Sequence, residues 1–195
     1  MIVTAPPAEA KGHALFWYDS AVLRSPDGRW MIVVHGEKHA MPKVKLDQPL
    51  PRHMAAVADA TTGHVIGRFD FERSADAYWL KDGRTLIINY YEGSDITRPL
   101  VFILEPGTKK PIDLRQIVVP DLTHRSHVHY SDLDHYYAFY SGDLGNSVQV
   151  DTEFRYPAGP VRADGLQDQD EKCYGYRIDK ATFRHVTFTG ETRSC

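Results

Sequence analysis

Six acidic residues in the last quarter of the chain are the first candidates for recognition chemistry: Asp151, Glu153, Asp164, Asp168, Asp170 and Glu171. The stretch 142–172 carries seven acidic residues against three basic ones, a local charge of −4, while the remaining chain is about +1. A field concentrated on one segment suits a basic partner surface, because it orients and speeds encounter. Histidines come second. His124, His127, His129 and His135 lie close together. On a strand His127 and His129 project to one face, which is what two metal ligands need. A catalytic zinc would take a third ligand from His124, His135, Asp132 or Asp134 and keep one position open. This defines an alternative reading, a metal-dependent hydrolase.

Other catalytic sets are incomplete. No G-x-S-x-G elbow occurs, and Ser20, Ser25, Ser74 and Ser126 stand at strand starts or turns, where hydroxyls serve the backbone. There is no Gly-rich phosphate loop. Asp27, Asp82 and Asp132 fall in predicted turns and read as turn formers. Trp17, Trp30 and Trp79 could stack on sugars, but Trp30 and Trp79 flank hairpin turns and read as core. The chain is therefore expected to be a non-catalytic binding protein without a cofactor.

The elements that would hold these residues repeat. Ser74–Tyr91 reads as strand, tight turn, strand, with Asp82-Gly83 as the turn, because Gly accepts the positive φ such turns need. Ala21–Val34 repeats it around Asp27-Gly28, and His127–Tyr140 around Asp134 without the glycine. Gly28, Gly83 and Asp134 lie 55 and 51 residues apart, a period that indicates repeat architecture. Each copy is followed by a loop and a second hairpin with an acidic residue entering its turn: Asp59, Glu105 and Asp179. Four short antiparallel strands per unit make one propeller blade. The units span about 20–71, 74–119 and 126–189, with Val118–Leu122 expected to end an outer strand. Residues 142–172 form an insertion within the third unit. Ser147–Phe154 alternates with period two and could be an extra strand; Ala158–Lys172 reads as a mobile loop.

Ser25-Pro26-Asp27-Gly28-Arg29-Trp30, followed by an apolar strand and a second hairpin, resembles the TolB-type β-propeller repeat. Leu80-Lys81-Asp82-Gly83-Arg84 is a looser copy and Ser131-Asp132-Leu133-Asp134-His135 a degenerate one. The resemblance implies an all-β chain of three four-stranded blades in an incomplete or distorted propeller. Three blades do not close a ring, so the terminal blades keep a face to cover. A second copy, giving a homodimer, or another protein would cover it. The chain is also similar, more distantly, to propeller-like bacterial immunity proteins, which implies an inhibitor that neutralises a partner enzyme with a basic active-site rim. His127-Val128-His129-Tyr130-Ser131-Asp132 is similar to the H-x-H-x-D-H signature of metallo-β-lactamase-like hydrolases, but its acid comes one place late and no His follows.

At 195 residues and 42% apolar content the chain suits one globular domain. It is expected to have a flexible lead-in at 1–12 and a single β domain at 13–195. A net charge of −3 argues against nucleic acid, and no apolar run reaches the ~20 residues of a membrane span. Met1–Pro7 lacks a signal peptide's apolar core. Cys173 and Cys195 are the only cysteines. Paired, they would pin the C-terminal tail and imply a periplasmic or secreted protein; unpaired, a cytoplasmic one.

Overall fold

A computed structural model describes residues 13–16, 18–70, 73–92, 96–105, 110–127 and 135–192. It is predominantly β with one helix among the described residues. No described helix is long and apolar enough to cross a membrane. The chain divides into two compact units, Lys11–Ser94 with Pro99–Ile112, and Asp95–Arg98 with Asp113–Cys195.

The first unit holds β1 (His13–Phe16), β2 (Ala21–Arg24), β3 (Trp30–His35), β4 (Met54–Asp59), β5 (Val65–Asp70), β6 (Ser74–Trp79), β7 (Thr85–Glu92) and the greater part of β8 (Ile96–Ile103). Strands β2 to β5 form an antiparallel sheet in chain order. In a second sheet β6 lies between β1 and β7, and β7 between β6 and β8. Ile32, Val34, Ala55 and Val57 of the first sheet share one core with Ala75, Ala77, Leu86, Ile88 and Phe102 of the second. Successive side chains on a strand point to opposite faces. Met31, Val33, Ala56 and Ala58 therefore need a separate cover. Met41, Val44, Leu46 and Leu50 provide it from the connection between β3 and β4. Burial on both faces explains why β3 is an almost unbroken apolar run.

Two turns of this unit are built alike. At the first, Gly28 N–H donates to Ser25 O at 2.9 Å and Ser25 N–H to Trp30 O at 2.9 Å. At the second, Gly83 N–H donates to Leu80 O at 3.1 Å and Leu80 N–H to Thr85 O at 2.9 Å. Both glycines have positive φ, 73° and 70°. In each, the Asp carboxylate accepts from the N–H two residues on, Arg29 at 3.1 Å and Arg84 at 3.1 Å. The β4–β5 turn works the same way: Asp59 accepts from Thr61 and Thr62 N–H at 2.9 and 2.7 Å.

These bonds favour the charged carboxylate and set a pH dependence. Thr62 N–H holds Asp59 below its ordinary 3.8. Burial alone would raise Asp82, but donation from Thr85 and Arg84 outweighs it, and Asp82 is also lowered. A carboxylate with a depressed folded pKa stabilises the fold above its unfolded pKa, and that contribution is lost as pH falls through the folded value. The melting temperature should therefore drop as pH is lowered from about 4 towards 2. Calorimetry on Asp82→Asn should give a lower melting point at pH 7 and a shallower fall in acid.

β9 (Ile112–Asp113), at the division between the units, pairs with β8 and leads into α1 (Leu114–Ser126) of the second unit. Four antiparallel strands follow in chain order: β10 (His135–Asp143), β11 (Ser147–Val161), β12 (Gln167–Asp179) and β13 (Val186–Thr192). The first residues of β8 pair in parallel with β10, Ile96 opposite Tyr136. Val150, Phe154, Tyr174 and Tyr176 are buried. Phe154, Tyr174 and Phe188 meet edge to face with ring centroids 5.3 Å apart.

The helix corrects one expectation. Val118–Leu122 does not end an outer strand; it lies inside α1. Asp113 caps the helix by accepting from Arg115 N–H at 3.0 Å, and Leu114, Val118 and Leu122 at four-residue spacing bury one stripe. That stripe outweighs Pro120, which sits in the helix interior without an N–H to donate. Pro120→Ala should stabilise the protein by about 1–3 kcal/mol in urea unfolding.

Residues 142–172 are likewise not a loop. They hold the end of β10, all of β11 and the start of β12. Ala158–Lys172, expected to be mobile, is largely paired strand. Asp179 and Thr182 between β12 and β13 repeat the Asp59 turn: Thr182 N–H donates to Asp179 at 3.1 Å. Phe183 N–H donates to Asp179 O at 2.8 Å, as Gly63 N–H does to Asp59 O at 2.9 Å. The expected turn at 131–134, Trp17 and the lead-in 1–12 lie outside the described residues.

Candidate partner-binding arm

All six acidic candidates lie on β11, β12 or the turn between them. The inner halves of these strands are ordinary sheet. Val148, Val150, Thr152 and Phe154 alternate towards the core, opposite Ile178, Tyr176, Tyr174 and Lys172. Among the described residues, β10 pairs with β11 as far as Arg155 and β13 with β12 as far as Cys173. Beyond those rungs β11 and β12 continue together, Tyr156 opposite Asp170, Pro157 opposite Gln169 and Ala158 opposite Asp168, with a bulge before Val161. Six residues at ~3.3 Å each give a ribbon about 20 Å long. Every residue from Val161 to Glu171 is exposed.

The tip turn has its own chemistry. Arg162 N–H donates to Leu166 O at 2.7 Å and Gly165 N–H to Arg162 O at 2.9 Å. Gly165 takes φ 82°, and Asp164 accepts from Leu166 N–H at 3.0 Å. A three-residue loop with Gly in the left-handed region is a common hairpin closure. An isolated two-stranded ribbon is marginal in water; this one is ordered because it extends strands anchored in a core.

The acidic residues do not form one patch. Cross-strand partners share a face, so Asp151, Glu153 and Glu171 lie on one face, Asp168 and Asp170 on the other, and Asp164 at the tip. Basic residues sit among them. Arg155 Nε donates to Glu171 at 2.8 Å and lies 3.6 Å from Glu153. The bond to Glu171 raises the Arg155 pKa further and keeps it charged. Arg162 lies 3.6 Å from Asp164 and 3.4 Å from Asp168. Asp151 accepts from Gln149 Nε2 at 2.8 Å. Asp170 makes no ion pair among the described residues. The arm is thus an alternation of partly compensated charges. Its tip exposes two aliphatic side chains, Val161 at 63% and Leu166 at 59%.

Sequence reasoning missed Arg155, Arg162, Val161 and Leu166. A signal was present: Asp164-Gly165 is the same hairpin dipeptide as Asp27-Gly28 and Asp82-Gly83.

The histidines are placed differently from the expectation. His127 is not on a strand; it caps α1 in the left-handed region at φ 57°, and its N–H donates to Thr123 O. His124 lies in the last turn of that helix and is exposed. His129, Asp132 and Asp134 lie outside the described residues. Elsewhere, Tyr91 Oη donates to Asp76 at 2.7 Å. Burial, with this carboxylate beside it, raises the Tyr91 pKa well above the ordinary phenol range. Such a phenol keeps its proton at neutral pH and offers no nucleophile.

Cys173, at the root of the arm, is disulfide-bonded. The only other cysteine of the chain, Cys195, lies outside the described residues. No protein-family model matches the chain, and no curated protein matches its sequence.

Proposed function

We propose that the chain is a non-catalytic binding module that neutralises a partner protein, in the manner of an immunity protein, by inserting the β11–β12 arm into a cleft of that partner. The observation that carries this reading is the largely exposed ribbon from 156 to 171, in which β11 and β12 stay paired past the last described rungs of β10 and β13. Rigid scaffolds that carry a projecting element are a common way to present binding residues. Val161 and Leu166 would be the apolar anchors, since desolvated apolar groups at the centre of an interface carry much of the affinity. Asp168 and Asp170 on one face and Glu171 on the other would meet a basic rim on both sides of the cleft and steer the approach.

The scaffold would be a set of TolB-type propeller repeats. The matching bonds of the Asp27-Gly28 and Asp82-Gly83 turns support it, as do those of the Asp59 and Asp179 turns. The disulfide at Cys173 supports an oxidising compartment, periplasmic or extracellular.

The tip tests the reading. In capture from the native source, Val161→Ser with Leu166→Ser should weaken partner retention at least tenfold and leave the melting temperature unchanged, because both side chains are already in water. Retention equal to wild type would remove the tip from the interface.

A further inference from the structure

We propose that Asp164-Gly165, at the tip of the arm, is a site of spontaneous isoaspartate formation, and that the fold confines this chemistry to the tip. The chain holds three Asp-Gly pairs: Asp27-Gly28, Asp82-Gly83 and Asp164-Gly165. In such a pair the glycine nitrogen attacks the aspartate Cγ, unhindered because glycine has no Cβ. A C–N bond forms, and the N–H hydrogen leaves with the carboxyl OH as water, giving a five-membered succinimide. Water then opens the ring. Opening at one carbonyl restores aspartate; opening at the other routes the backbone through the side chain. One water is lost and one regained, and no other reagent is needed.

Backbone conformation does not separate the three sites. Gly28, Gly83 and Gly165 have φ of 73°, 70° and 82°. Each donates its N–H to the carbonyl three residues back, at 2.9, 3.1 and 2.9 Å.

The hold on the carboxylate does separate them. Asp27 accepts from Ser25 Oγ at 2.6 Å and from Arg29 N–H at 3.1 Å. A Cβ built on Gly83 would lie 2.8 Å from Asp27 Cγ, so the next turn is packed against the carbon to be attacked. Asp82 accepts from Arg84 N–H at 3.1 Å, Thr85 N–H at 2.9 Å and Thr85 Oγ1 at 2.6 Å. Ser25, with Arg29, holds Asp27 below its ordinary pKa. At Asp82 burial pulls upward, and the Thr85 and Arg84 donors outweigh it. Both effects deplete the protonated carboxyl from which water leaves. Asp164 accepts from one N–H, that of Leu166 at 3.0 Å, with Arg162 Nε 3.6 Å away. Nothing lies within 4 Å of a Cβ built on Gly165.

The supports differ as well. Ser25 and Thr85 are buried, whereas every residue from Val161 to Glu171 is exposed. The tip turn can therefore open without disturbing a core. Isomerisation adds one carbon to the backbone between Val161 and Leu166 and changes how the hairpin closes. The chemistry does not depend on a partner; its effect on capture rests on the arm being the contact element.

The test holds the full-length, disulfide-intact chain at neutral pH and body temperature for several weeks. Isoaspartate is then labelled by protein L-isoaspartyl methyltransferase with radioactive S-adenosylmethionine and located by peptide mapping. The peptide with Asp164 should carry at least tenfold more label than those with Asp27 or Asp82. Asp164→Glu, which would need a slower six-membered ring, should lose that label. A sample aged in urea and returned to buffer before labelling should carry similar label at all three sites. Equal label at the three sites of the folded chain, or none at Asp164, overturns the proposal. So does a preference for Asp164 that urea leaves unchanged, since the fold would then play no part. Label is read without a partner, so a silent Asp164 leaves the arm's role standing, and loss of that role leaves this result standing.

Discussion

Replacing residues 157–169 by Asn-Gly, so that Tyr156 and Asp170 close a two-residue hairpin, should abolish partner binding while the protein keeps its fold. Tyr156 and Asp170 face each other in register, and Asn-Gly suits a tight turn between paired strands. All but one of the residues removed are exposed, and the rungs that anchor β11 and β12, from Arg155 and Glu171 inward, are kept. The melting temperature should move by no more than about 2 °C, the scale of a few tenths of a kcal/mol. Affinity for the partner should fall at least a hundredfold, measured by surface resonance. A shortened protein that binds as well as wild type would place the contact elsewhere.

The second large effect is on stability. Gly63→Ala should cost about 4 kcal/mol, from two sources. Gly63 has φ 78°, a region that costs a residue with a Cβ about 1–2 kcal/mol. A Cβ there would also lie 2.3 Å from the Lys45 carbonyl oxygen and 2.8 Å from its carbon. Those are backbone atoms and cannot rotate away. Asp47 N–H donates to Gly63 O at 2.8 Å beside the same contact. The connection that covers Met31, Val33, Ala56 and Ala58 must therefore lift, exposing that cluster. Gly28→Ala is the control. Its φ is 73°, but nothing lies within 4 Å of the new Cβ, so it should cost only about 1 kcal/mol. Urea unfolding of both variants separates the conformational cost from the clash.

Much of the β character was legible in the sequence because it depends on local chemistry. Asp27-Gly28 and Asp82-Gly83 set turns by φ and by carboxylate bonding to nearby N–H groups, and both lie within a few residues of their consequences. The two strands flanking each turn alternate or run apolar as burial requires. The helix was not legible for the opposite reason. Ile117-Val118-Val119-Pro120 carries β-branched residues and a helix breaker. What overrides them is a buried stripe at Leu114, Val118 and Leu122, together with the Asp113 cap, and only the tertiary fold reveals that stripe. His127 was misplaced with it, since a residue read as the start of a strand is the cap of that helix.

The arm was legible in position and not in form. Its acidic composition marked it, but composition does not report pairing. Residues that look like a solvated loop are strand because their inner halves, Val148–Phe154 and Tyr174–Ile178, are locked in a core and fix the register outward. The arginines that offset the acids were visible as residues, but the register that brings Arg155 to Glu171 across the ribbon was not.

Hydrogen–deuterium exchange on the purified complex, compared with the free chain, tests the central claim most directly. The account predicts that amides of 156–172 slow at least tenfold on binding, while the sheet β2 to β5 exchanges as before. Arm amides that exchange at their free rate, with protection appearing on another surface, would contradict it.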